Sequence, residues 1–166
     1  MLIYHPAFDA YHCIFRMLFI ADALANLEFA KLRILDFYLC FPAEIASVQL
    51  PQEHIEYKKI ARAAKNIYRG PVSGFRTFRD MEAIQIVACR MLAISGLIDT
   101  ERLEHGNIVR TPSELPPTLS DASRGIWREN SELVKYIIYK MSQIPLTGDG
   151  GLKQRTGLME YRYDAA

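Results

Sequence analysis

The chain has 166 residues, 50% of them hydrophobic and 23% charged, with a formal net charge of +1 at pH 7. That length suits a single domain, and the balance excludes collagen-like, low-complexity and extensively disordered chains. A near-neutral total also excludes a global field drawing the chain to nucleic acid or lipid, so any such attraction has to be local.

In chain order, the stretch Met1-Leu2-Ile3-Tyr4-His5-Pro6 carries no basic segment, and Asp9 and Arg16 cut the apolar run after it, so it reads poorly as a signal peptide. Asp9 is a good N-cap for a first helix with Tyr11, Ile14, Phe15, Leu18 and Phe19 at helical spacing. Met17, Ile20 and Leu24 widen that apolar face, so the helix should be mostly buried. A second helix is read from Asn26 as its cap through Ile34, Leu35 and Tyr38 to Phe41, where Pro42 disfavours continuation, with a short helical turn in 43–50. Together these are the N-terminal helices of 9–50.

Pro51 suits the first position of a third helix, 51–69, with Tyr57, Ile60, Ala61, Ala64 and Ile67 on its apolar face and Gly70-Pro71 ending it. A linker over 72–76 leads to Thr77 and Asp80, a partial capping pair for a helix carrying Ile84, Val87, Ala88, Met91 and Leu92 and closed by Gly96. After it, 97–99 and 107–111 flank His105-Gly106-Asn107 and read as a β-hairpin. Helix, glycine and hairpin over 77–111 is the element order of a winged helix. Pro112, Pro116 and Pro117 form a spacer, and one long last helix is expected over 118–144, about 37 Å at 1.5 Å per residue. Tyr136 and Tyr139 make its central turns apolar nearly all round, so it is either buried or an interface helix. The expected fold is therefore mainly α, a domain over 1–144 with a winged-helix core and one small hairpin. The Gly-containing tail, 145–166, reads as a flexible linker to a docking strand.

Cys13, Cys40 and Cys89 are odd in number and lie in apolar stretches, which reads as buried thiols of a reducing compartment. Asp22, Glu28, Gln85 and Arg90 break the remaining apolar stretches short of a membrane span, so a cytoplasmic protein with no membrane contact is expected. His5, Asp9, His12 and Cys13 are too irregularly placed for a metal site, and Gly148-Asp149-Gly150-Gly151-Leu152-Lys153 has the wrong spacing for a phosphate loop. No nucleophile elbow is present. No catalytic residue, metal or cofactor is therefore expected.

Charge placement is the informative feature. Residues 51–79 hold seven Lys plus Arg against two acids, while the rest of the chain holds 13 against 17. Lys58, Arg62, Lys65 and Arg69 line one helical stripe at i, i+4, i+7 and i+11, and Arg76 and Arg79 extend it between aromatic residues. Such a patch suits a phosphate backbone through counterion release, an acidic protein surface, or solvent alone. The hairpin segment is acidic, with Asp99, Glu101 and Glu104 against Arg102 and Arg110, and the helix before it starts with Asp80 and Glu82. Its outward positions are read as Gln85, Cys89 and Ala93, a poor set for a DNA groove, so the winged helix is read as a protein-docking platform. Partner contacts are expected at Trp127, Tyr136 and Tyr139 of the last helix and at Arg102 of the wing.

The opening Tyr4-His5-Pro6-Ala7-Phe8-Asp9-Ala10-Tyr11-His12-Cys13-Ile14-Phe15-Arg16 resembles the start of the middle components of bacterial three-component ABC-ATPase systems, the fifth type among them. Leu32-Arg33-Ile34-Leu35-Asp36 up to Pro42 is similar too, as are Arg76-Thr77-Phe78 and Met81-Glu82-Ala83-Ile84-Gln85 through Gly96-Leu97-Ile98. The resemblance implies a non-enzymatic winged-helix adaptor between an SMC- or Rad50-like ABC ATPase and an effector protein, in a system acting against phage or other invasive DNA. It assigns no individual functional residue. A stand-alone winged-helix DNA-binding regulator is the alternative, and an enzyme with an unrecognised site is a third reading.

Overall fold

A computed structural model describes residues 5–66, 70–128 and 131–164. The fold is mainly helical with one small antiparallel sheet. Helix α1 spans Ala10–Leu24, and the Asp9 carboxylate caps it by accepting from the His12 N–H at 2.9 Å. Ala25 turns the chain at φ +60°, and its carbonyl accepts from the Arg110 N–H, which ties this tight turn to a strand far along the sequence.

Residues 26–28 are strand β1 (Asn26–Glu28), not the first turn of a helix, and helix α2 begins at Phe29 and runs to Cys40. The cap expected from Asn26 is absent because that residue pairs with Val109 of strand β2 (Asn107–Val109). Leu27 lies opposite Ile108 in the same register, so both apolar side chains enter the core. Helix α2 is buried continuously from Leu32 to Tyr38, so it is the central rod of the fold. Pro42 ends it, and a 3-10 turn covers Pro42–Ser47.

Helix α3, Glu56–Ala63, is far shorter than the expected 51–69. A separate 3-10 turn holds Gln52–His54, and the Ala64 N–H bonds to both the Ile60 and Ala61 carbonyls, tightening and closing the last turn. The expected linker over 72–76 is largely helical: Ser73 rather than Thr77 is the cap, and α4 runs Gly74–Asp80. Helix α5, Glu82–Ile94, follows after Met81. Gly96 closes α5 as anticipated, at φ +72°, with the Leu97 N–H reaching the Leu92 carbonyl and the Gly96 N–H the Ala93 carbonyl. This pairing is a Schellman cap, and it needs the positive φ that glycine adopts freely.

The two segments of the expected hairpin do face each other, through Asp99 N–H to Val109 carbonyl, Thr111 N–H to Leu97 carbonyl and a bridge between Ile98 and Arg110. Between them lies a short helix that the sequence reading treated as turn, α6 (Thr100–Glu104), capped by Asp99. The expected long last helix is two helices, α7 (Pro117–Arg128) and α8 (Ser131–Tyr139), followed by a 3-10 turn at Met141–Gln143. Trp127 and Tyr139 stack with ring centroids 5.7 Å apart. Residues 129–130 between the two helices lie outside the described residues, and since twelve residues of straight helix would separate these backbones by about 18 Å, α7 and α8 do not run on as one straight rod.

The tail is folded too. Helix α9, Leu152–Thr156, buries Leu152, and Leu158 after it is also buried. The Gln49 N–H donates to the Arg155 carbonyl, and the Arg155 guanidinium donates to the Gln49 carbonyl at 2.7 Å, clamping the tail to the loop before α3. The flexible linker expected there gives way to packing because Leu152 and Leu158 have apolar surface to cover.

Candidate functional site

Three helices buried against one another leave no room for unpaired polar groups, and α2 carries two charges inside the core. Asp36 accepts from Arg16 Nε of α1 at 2.6 Å and from Gln85 Nε2 of α5 at 2.9 Å. The Gln85 Oε1 atom accepts from Arg33 Nε at 2.8 Å, and Arg33 continues to Glu82 at 3.0 Å. The Arg33 guanidinium also sits 4.5 Å over the Phe78 ring and donates to the Phe78 carbonyl, so it holds α4 against α2. Burial is the largest single effect on Arg16 and opposes its charge, but the charge and hydrogen bonding of Asp36, with smaller contributions from Cys40 and Cys13, together more than offset it and raise the guanidinium above its ordinary value. For Arg33, burial is the larger effect and lowers its proton affinity, with Glu82 opposing.

The basic residues follow from this frame. Arg62 is exposed on α3, Lys58 is half-buried on the same helix, and Lys65 is exposed just past its end. Arg69 lies outside the described residues. Arg76 and Arg79 are exposed on α4, with Arg79 3.8 Å from Asp80. The unbroken stripe predicted from spacing is therefore carried by α3, the segment after it and α4. These pieces meet at Glu44 in the Pro42–Ser47 turn: a Cβ on Gly74 would lie 3.7 Å from a Glu44 carboxylate oxygen, and Lys65 acts on the same carboxyl. Burial raises the Glu44 carboxyl, and the Lys65 charge counteracts part of that rise.

The aromatic partner set is divided. Tyr136 is 1% exposed, stacked 4.1 Å from Tyr57 and with its hydroxyl 3.4 Å from His54 Nδ1, so it belongs to the core and offers nothing to a partner. Trp127 is half-buried with its ring edge against Phe19 at 4.8 Å, while Tyr139 and Arg102 are exposed. Helix α5 reverses the expected orientation. Gln85 and Cys89, read as outward, are buried, and Val87, Met91 and Ile94 point out. Both faces of α5 are apolar at helical spacing, so only the packing of α1 against one of them tells the two apart.

Two clefts open between these elements. One, of about 540 Å³, is lined by His54, Tyr139, Lys140 and Arg155, and the other, of about 990 Å³, runs along α1, the Pro42–Ser47 turn and α7. Cys40 lines the second, but burial pushes its thiol well up, which removes the thiolate a nucleophile requires. His5 at its rim accepts from the Ala7 N–H and stacks on Phe41. Cys13 is buried while His12 is exposed, and no group of metal-ligating side chains occurs among the described residues. Among those residues no helix is long and apolar enough to cross a membrane.

Against known families, residues 2–164 match the ABC-three component (ABC-3C) system Middle Component 5. The chain belongs to that family. No curated protein and no solved structure matches it. A middle component works within a multi-component ABC system, so membership implies partner proteins.

Proposed function

We propose that this Middle Component 5 is a non-catalytic cytoplasmic adaptor that joins an SMC- or Rad50-like ABC ATPase to an effector in a system directed against phage or other invasive DNA. The match over residues 2–164 carries the reading, because a middle component is one member of a multi-component ABC system. The element order α1, β1, α2, α5, the 97–99 segment and β2 supports a winged-helix core with α6 inserted in its wing. A docking role for that core is supported by the acids around α5 and α6, which disfavour phosphate. DNA is contacted on the separate basic surface, by Lys58, Arg62, Lys65, Arg69, Arg76 and Arg79.

Co-expression with the other two components, followed by size-exclusion chromatography and mass determination, tests the reading. Co-elution with the ATPase is the expected result. Elution alone, as monomer or dimer, would move the assignment to a stand-alone DNA-binding regulator.

A further inference from the structure

The larger cleft, of about 990 Å³, is big enough for a drug-sized molecule. Much of its wall is apolar, from Phe15 of α1, Leu39 and Phe41 at the end of α2, and Val134 and Ile137 of α8. Polar groups set among such walls need partners, because a buried hydrogen bond left unmade costs more than a made one contributes. Several have them. Arg16 is held by Asp36 and the Pro6 carbonyl, the His12 ring pairs with Asp9, and His5 accepts from the Ala7 N–H.

Tyr38 and Glu44 are different. Tyr38 is only 2% exposed, yet its hydroxyl makes no hydrogen bond to any described residue. Glu44 is half-buried in the Pro42–Ser47 turn, and its carboxylate has neither a hydrogen bond nor an ion pair among the described residues. The two belong together: the Glu44 charge acts on the Tyr38 phenol, and both residues line this cleft. Lys65 is the base that acts on Glu44, but it is exposed, lies off the cleft lining and forms no ion pair with that carboxylate.

These two groups define what would satisfy them. An ionised carboxylate only accepts hydrogen bonds, so whatever meets Glu44 has to donate. A flat cation with two parallel N–H groups spans both carboxylate oxygens and keeps further N–H groups for the Tyr38 oxygen. An aromatic wall such as Phe15 or Phe41 suits the face of that cation. An anion is repelled by Glu44, and a purely apolar molecule would bury Glu44 and Tyr38 with no partner.

We infer that the cleft between α1, the Pro42–Ser47 turn and α7 binds an organic cation of the guanidinium or amidinium class, with Glu44 and Tyr38 as its recognition pair. A free small molecule and an arginine side chain of another protein offer the same chemistry.

Calorimetric titration of the full-length protein with benzamidine tests the site. One benzamidine should bind per chain with a dissociation constant of about 1 mM or tighter. Benzamide, its neutral isostere, should bind roughly tenfold more weakly, and benzoate should not bind. Glu44→Gln should weaken benzamidine roughly tenfold or more and Tyr38→Phe roughly threefold or more, the sizes of a charge-assisted and a neutral hydrogen bond. Neither variant should melt below the wild type, since neither group is bonded within the fold. No benzamidine binding, equal affinity for benzamide, or an affinity untouched by both variants would overturn the site, as would a Tyr38→Phe protein that melts clearly lower. Co-expression with the other two components separates the sources. Co-elution weakened by Glu44→Gln assigns the cation to a partner's arginine, and unchanged co-elution with benzamidine binding intact in the wild type assigns it to a small molecule.

Discussion

Arg16 Nε meets the Asp36 carboxylate at 2.6 Å with both side chains buried. The pair joins α1 to α2, and Gln85 joins the same carboxylate to α5, so three helices share one polar knot in an otherwise apolar core. Removing Asp36 strands a buried guanidinium. The Asp36→Ala variant should lose about 3–5 kcal/mol of stability, seen in urea unfolding as a lower midpoint with an unchanged slope. The double variant Arg16→Met, Asp36→Leu should lose clearly less, since it leaves no unpaired charge.

Trp127 fastens α7 to the body through Phe19 and Tyr139. Truncation by Trp127→Ala removes both ring contacts and should cost roughly 3 kcal/mol. Hydrogen exchange is the discriminating measurement: amides of Pro117–Arg128 should exchange faster while those of α2 stay protected.

The thiols give a pH prediction with a definite sign. Burial pushes Cys13 and Cys89 up to about 12, and Cys40 rises in the same way. The native state holds these protons while the unfolded chain releases them near pH 9, so the stability they contribute is complete below pH 9 and lost as pH rises toward 12. Each thiol should steepen the loss by about 1.4 kcal/mol per pH unit in that window. Urea unfolding under reducing conditions at pH 8, 9 and 10 checks this, and Cys13→Ala should lessen the slope. Disulfide reagents at pH 8 should leave native Cys13 and Cys89 largely unmodified and label them on unfolding.

Reversing charge on the basic surface separates DNA contact from simple solubility. The double variant Arg62→Glu, Lys65→Glu touches two exposed side chains and should unfold like the wild type. Its affinity for duplex DNA should drop, with the slope of log K against log salt smaller by roughly two. Fluorescence anisotropy over a salt series reads both, and an unchanged slope removes these residues from the DNA-facing set.

Much of the secondary structure was legible where the deciding bonds are local. The Asp9 cap, the stop at Pro42 and the Gly96 closure each involve groups within a few residues, and each stands where the sequence places it. The basic residues were legible as a composition, but their single stripe was not. Its helix closes at Ala64, and Arg76 and Arg79 ride on a separate helix whose cap, Ser73, lies within the stretch read as linker.

What the amino-acid sequence determined by itself is the mainly helical class, the shape of several helix ends, the burial of Cys13 and Cys89 and the segregation of positive charge into residues 51–79. Those features depend on local hydrogen bonds, propensity and counts. Tertiary structure alone decided that Asn26–Glu28 leaves a helix to pair with residues more than 75 positions away, that α7 and α8 are set so that Trp127 reaches Tyr139, and that Leu152 and Leu158 of the tail enter the core. It also decided which apolar face of α5 is covered. Two faces of similar hydrophobicity compete for one core, and the winner is set by the neighbours available, here α1 and the Asp36 carboxylate that takes in Gln85.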